Sequence, residues 1–317
     1  MHGRGARLAR ALLAGILAGA LAAPATAGPQ VVVTIKPLHA LVARVMAGVG
    51  TPQLLVKAGQ SAHTYALKPS DVARLHAADI FFRMSETMEP FTTRVAKALP
   101  DRVQVVTLED TPGLRLLERR TGAPFEEAEH AAPGSDHDHT YGHGVIDGHA
   151  WLDPDNAKLM ADRVAEALSA SDPAQAATFA ANAGGLKADL DALSAELARA
   201  LAPVAGKPYI VFHDALQYFE LRYGLRPAGS ITVSPEVPPS AHRISALRQR
   251  LLARGAACVF AEPQFDLRLI EALVEATPVR VGTVDPEGSR IEPGPELYFT
   301  LLRNLARDLK TCLVAAG

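Results

Sequence analysis

Five of the chain's eleven histidines fall in one stretch, "EHAAPGSDHDHTYGHGVIDGHAWLDP", residues 129 to 154. Imidazole nitrogen is a borderline-soft donor, and three imidazoles completed by a carboxylate or a water make a four-coordinate site that suits zinc. Four residues stand where such a site can be built: His63 in the loop "KAGQSAHTYALKPSD", His149 beyond the polar stretch, His213 ending "YIVFH", and Asp285 ending "VRVGTVD". The neutral ring is the ligand, so binding weakens as pH falls towards the imidazole pKa. Taken singly, each has an ordinary reading, because loop histidines are commonly solvated and strand-end histidines are commonly satisfied core residues. Their shared placement at strand ends is what groups them.

Positioning four distant residues is the work of the surrounding elements. Short β-branched runs alternate with amphipathic stretches from "QVVVTI" through "LHALVARVMAG", "PQLLV", "PSDVARLHAA", "DIFFRM" and "EPFTTRVAKAL" to "VQVVTL". This rhythm predicts βαβ units around a parallel sheet. It breaks at Thr111, and from there to Gly148 the chain is rich in Gly, Pro, His and acidic residues. Order resumes at "WLDPDNAKLMADRVAEALSA", where Asp153-Pro154 caps and opens a helix. A second helix follows Asp172-Pro173 and has room for ~30 residues, or ~45 Å, with Gly184 and Gly185 as points where it could bend. The strand and helix alternation then repeats to the end. The expected fold is α/β: two similar (β/α) lobes with parallel-type sheets, joined by one long rigid helix. Expected boundaries are a first lobe over 28–171, with its polar loop at about 111–148, a linking helix over 172–203 and a second lobe over 204–317. Ligands of open α/β sheets bind beyond the carboxyl ends of the strands, which here means a cleft between the lobes.

Arg4, Arg7 and Arg10 precede the apolar run "ALLAGILAGALAA", and small residues follow at Ala25 and Ala27. That pattern predicts a secretory signal peptide over 1–27. With no cysteine soon after the expected cleavage point, a free periplasmic protein is expected rather than a lipid-anchored one. Without the leader's arginines the chain is mildly acidic, which excludes a basic nucleic-acid footprint. In an oxidising compartment Cys258 and Cys312 could pair and tie the C-terminal segment to a core strand, the alternative being two buried free thiols.

Five ordered blocks, "SAHTYALKPSDVARL", "GHAWLDP", "YIVFHDALQYFE", "CVFAEPQF" and "VGTVDPEG", resemble those of the periplasmic zinc-binding proteins of high-affinity zinc ABC importers, the ZnuA-type solute-binding proteins of cluster A-I. The similarity runs over nearly the whole chain after the leader. It implies one metal ion in the interlobe cleft, held by His63, His149 and His213, with Asp285 at the place of an aspartate that supplies a fourth ligand in many relatives. Manganese-binding relatives carry glutamate where this chain has His213, so the resemblance implies zinc. It also implies a Cys258–Cys312 disulfide and, as partners, an inner-membrane ABC permease with its ATPase. A monomer is expected. Several zinc-specific members have Glu before the first histidine, where this chain has Ala62; the fourth position then falls to Asp285 or to water.

Of the opening stretch, His149 is assigned to the cleft, with Trp151 packed beside it. His130, His137, His139 and His143 lie among Gly, Pro and Asp without apolar periodicity, and are expected to form either an auxiliary weak metal site or a solvated spacer. His39, His76 and His242 are expected in surface or packing roles. Glu86 and Glu89 read as solvated carboxylates at a helix start, and Glu262 as a partner that orients a ligating histidine. Two alternatives stay open: the same receptor tuned to nickel, cobalt or copper, and, from a different class, a secreted zinc hydrolase. The hydrolase lacks support from an H-E-x-x-H helix or a G-x-S-x-G elbow, so no enzyme is expected.

Overall fold

A computed structural model describes residues 28–57, 59–120, 144–232, 235, 239–253 and 255–314. The expected leader and the histidines at 130, 137, 139 and 143 lie outside these. In chain order the first half holds β1 (Val31–Val33), α1 (Lys36–Val45), β2 (Gln53–Leu54), α2 (Pro69–Ala77), β3 (Ile80–Arg83), α3 (Thr92–Ala98) and β4 (Gln104–Thr107). Then come α4 (Pro154–Ser171) and α5 (Ala176–Leu201). The second half holds β5 (Pro208–His213), α6 (Gln217–Tyr223), β6 (Arg226–Thr232), α7 (Ala241–Ala253), β7 (Cys258–Ala261), α8 (Arg268–Val274), β8 (Arg280–Thr283) and α9 (Leu297–Val314).

Each half builds one four-stranded sheet, ordered β2-β1-β3-β4 and β6-β5-β7-β8, and every pairing is parallel. The two orders are the same topology used twice. Strands β1, β3 and β7 are buried along their whole length, as sheets covered by helices on both faces require. In each sheet the strand order reverses between the two middle strands, β1 and β3 or β5 and β7, while every strand keeps the same direction. That reversal opens a crevice at their carboxyl ends.

Local signals start and stop the helices. The Asp153 side chain accepts from Asp155 N at 3.0 Å and Pro154 occupies the first turn, so α4 begins there. Helix α6 ends at Gly224, whose φ of 66° is the left-handed conformation a glycine adopts without strain. Helix α5 is one unbroken rod of 26 residues, ~39 Å long at 1.5 Å per residue. Phe179, Ala183, Leu186, Leu190, Leu193, Leu197 and Leu201 form its buried stripe at steps of three and four. Gly184 and Gly185 face open space and do not interrupt it. Single 3-10 turns at Pro173–Gln175 and Ala202–Val204 flank the rod, because the prolines at 173 and 203 cannot donate inside an α-helix.

One apolar core joins both halves. It runs from Val33, Leu38 and Leu41 through Trp151 and Leu190 to Tyr209, Tyr298, Leu302 and Leu305. Helices α1, α5 and α9 pack on one another within it. Cys258 and Cys312 are joined in a disulfide with Cα atoms 6.2 Å apart, pinning α9 to β7. Among the described residues no helix is long and apolar enough to cross a membrane.

Candidate metal centre

Three imidazoles converge between the two sheets. His63 sits in the turn after β2, on Ser61–Thr64. His149 precedes a 3-10 turn, Ala150–Leu152, that leads into α4. His213 is the last residue of β5. All three are buried, and their ligand atoms lie within 4.8 Å of one another. His63 Nε2 is 3.4 Å from His149 Nε2, which is 3.3 Å from His213 Nε2. An ion held tetrahedrally at 2.0–2.1 Å from two nitrogens keeps them about 3.3–3.4 Å apart. The separations therefore match a shared ion.

A Nε2–Nε2 contact could instead be a hydrogen bond, and for the His149–His213 pair the tautomers decide against it. His149 Nδ1 lies 2.6 Å from Asp147 Oδ1, and His213 Nδ1 lies 2.5 Å from Glu262 Oε1. A carboxylate accepts only, so each holds the ring proton on Nδ1 and leaves the Nε2 lone pair facing inward. Burial, then the neighbouring imidazoles and Arg119, drives the His63 pKa well below the ordinary histidine value; burial, then His213 and Arg119, does the same for His149. For His213 burial also opposes the cation, but the charge and hydrogen bond of Glu262, with Glu287 and Asp214, outweigh it and raise the pKa. Burial lifts Asp147 to about 6, leaving it ionised at neutral pH.

The acidic residues around the cluster divide sharply. Asp285 is not part of it: its carboxylate accepts from Ser289 Oγ at 3.0 Å and Arg290 N at 3.2 Å, and faces a cavity of about 640 Å³ shared with Thr283 and Arg307. Glu287, two residues on, is the carboxylate that reaches across, lying 3.4 Å from both Ser61 Oγ and Ala62 N. Asp214, next to His213, is paired with Arg120. Arg120 also meets Glu220 at 2.8 Å, and Glu220 accepts from Tyr209 at 2.9 Å.

Trp151 is fully buried beside His149, with ring centroids 5.2 Å apart, and its Nε1 donates to Pro286 O at 3.2 Å across the cleft. Glu262 holds the orienting place expected of it. His39 packs inside with Nε2 3.0 Å from Pro52 O, while His76 and His242 are exposed. Glu89 differs from its expected solvated role: it is fully buried and accepts from Thr34 Oγ1, Met84 N and Ser85 N, tying β1 to the loop after β3. Glu86 is exposed and pairs with Arg83 at 3.2 Å. Sequence reasoning missed Asp147, Glu287 and Arg120. The "IDGH" spacing is a usable signal for the first, since a carboxylate two residues before a histidine can reach back to its Nδ1.

The family described as zinc-uptake complex component A, periplasmic, matches residues 31–312. A high-affinity zinc uptake system protein ZnuA of Brucella abortus (strain 2308) is 45% identical over 327 aligned positions, covering 96% of this chain and 97% of that protein. The protein of the same name from Paracoccus denitrificans is 36% identical over 94% of this chain and 96% of its own length. Among solved structures, a ZnuA crystal structure superposes with a TM-score of 0.74 at 23% identity, covering 90% of this chain and 99% of that one. A mutant of the laminin-binding adhesin Lmb of Streptococcus agalactiae gives 0.73 at 24% identity, covering 90% and 100%. These two show that the fold is shared. The match over residues 31–312 and the long relatives at 45% and 36% identity place this chain in the ZnuA family of periplasmic zinc-uptake components.

Proposed function

We propose that the protein is a solute-binding receptor that captures Zn²⁺ between its two lobes and hands it to an ABC permease and its ATPase. The observation that carries this reading is the pair of Nε2 separations, 3.4 and 3.3 Å, with the Nδ1 protons of His149 and His213 held by carboxylates. Three neutral imidazoles suit zinc over the harder manganese, while copper would also bind tightly to such a set. His63, His149 and His213 are the ligands in this reading, and the fourth position falls to water or to a carboxylate of the turn holding Asp285 and Glu287. The family is one of binding receptors, and Asp147 and Glu262 are engaged in orienting ligands rather than poised as general bases.

The lobes, 28–171 and 204–317, are bridged by 172–203, and the shared core supports little relative movement. Release then proceeds by local loss of a ligand instead of a wide hinge opening. The protein is proposed to work in the periplasm as a monomer after removal of residues 1–27. His130, His137, His139 and His143 form an accessory metal-capturing segment in this reading.

Calorimetric titration of the metal-free protein with Zn²⁺ in a competing chelator tests the assignment. One tight event per chain is expected. It should vanish in a His63→Ala, His149→Ala, His213→Ala variant and persist when residues 130–143 are deleted. Tight binding in the triple variant, or its loss on the deletion, would overturn the ligand set.

A further inference from the structure

Lys36 is a cation buried at the junction of the two halves. It opens α1, in the first half, and is only 4% exposed. Its Nζ donates to the backbone carbonyls of Gly288, Ser289 and Ile291 at 3.2, 2.9 and 2.8 Å. An ammonium has three donors, and all three are used on one turn of the opposite half. The carboxylates of Asp285, Glu292 and Glu287 act on it as well, offsetting part of the effect of burial. An apolar side chain would satisfy packing alone; a desolvated ammonium is retained here together with a full set of acceptors.

The same turn carries Glu287. Gly288, with φ of +66°, turns the backbone immediately after it, so the carbonyls at 288, 289 and 291 go to Lys36 while the Glu287 carboxylate goes to Ser61 and Ala62, beside His63. The two Glu287 contacts are 3.4 Å long, at the weak end for hydrogen bonds. Asp147 and Glu262 are occupied on imidazole Nδ1 atoms, and Asp214 by Arg120. Glu287 is thus held in place loosely, next to a site whose three rings offer a bound dication no charged ligand.

We propose that Lys36 is a positioning residue for cargo capture: by gripping the 288–291 turn from across the cleft, it sets Glu287 where its carboxylate can leave Ser61 and Ala62 and close onto the ion. This rests on the reading that His63, His149 and His213 hold that ion. Capture then joins the halves at the metal itself, and the ammonium holds the turn in register while the carboxylate shifts.

The test is a double-mutant cycle on the full protein with Lys36→Met, Glu287→Gln and the two combined. Zinc Kd is measured by chelator competition and coordination by the visible spectrum of the Co²⁺ form. Each single change is expected to weaken zinc binding by about tenfold, the scale of an orienting partner. The combined variant should be no weaker than the weaker single one, and both singles should alter the Co²⁺ bands alike. Multiplying effects, or a Lys36→Met protein that melts earlier with unchanged Kd, would overturn the proposal. Should Lys36→Met not fold, unchanged Kd and Co²⁺ bands in Glu287→Gln would overturn it equally. A His213→Ala control separates the two readings: undiminished zinc binding there refutes the histidine site itself.

Discussion

Replacing Glu262 by Gln removes one charge from the metal centre and little volume. Glu262 Oε1 accepts from His213 Nδ1 at 2.5 Å and from His213 N at 3.2 Å, so one carboxylate oxygen fixes both the ring and the end of β5. A glutamine carbonyl can keep the proton on Nδ1, but without the charge the ring becomes a poorer electron donor at Nε2. Loss of such an orienting partner weakens metal binding by about 10- to 100-fold, or ~1.4–2.7 kcal/mol. The pH response supplies the sharper test. In the wild type, burial opposes the His213 cation but Glu262 outweighs it, so the pKa lies above the ordinary value. Below that pKa zinc must displace a proton from His213, and its apparent affinity falls by about tenfold per pH unit. In the variant burial dominates, the pKa drops, and the bend in the profile moves to lower pH. The variant's deficit is therefore largest at high pH and narrows on acidification. Chelator-competition titrations from about pH 5.5 to about pH 8.5 span the histidine range. An affinity within about twofold of wild type at the alkaline end, or a bend at an unchanged pH, would refute the assignment of Glu262 to His213.

Two further outcomes follow from buried charge and covalent linkage. Arg120→Met leaves the buried Asp214 and Glu220 carboxylates without their shared cation, so urea unfolding at neutral pH should show a loss of ~3–5 kcal/mol. Both carboxylates already have burial-raised pKa values, so the loss should shrink as acid neutralises them; a loss constant with pH would count against the charge argument. Reducing Cys258–Cys312, which spans a sequence separation of 54, should lower stability by ~2–4 kcal/mol in the same assay under reducing conditions. An unchanged midpoint would mean that α9 is held to β7 by packing alone.

Much of the architecture is written in short-range pattern. Runs such as "VVV" and "IFFR" bounded by amphipathic stretches specify buried parallel strands, and Asp153-Pro154 marks a helix start because capping chemistry is local. The three histidines were legible as strand-end and loop residues that could meet in a cleft, and the resemblance strengthened that grouping. Long-range contacts were not legible. Asp285 and Glu287 sit two residues apart, and which of them faces the histidines depends on the turn at Gly288 and on Lys36, 252 residues earlier. Glu89 looked like a solvated helix-start carboxylate because sequence does not reveal that the loop after β3 folds it beneath β1, against Thr34. Arg120 could not be linked to Asp214 and Glu220 from sequence, since the contact spans 94 and 100 residues.

The packing of α1 against α9 also sets an order of events during biogenesis. Leu38 and Leu41 share one core with Leu302 and Leu305, and the Lys36 acceptors lie more than 250 residues downstream. At ~5–20 residues per second of synthesis, tens of seconds separate the first helix from its partners. The amino-terminal half cannot complete its own interior in that time, and contacts this distant close slowly even once the chain is whole. The core shared by the first and last helices can close only once the last helix has been made.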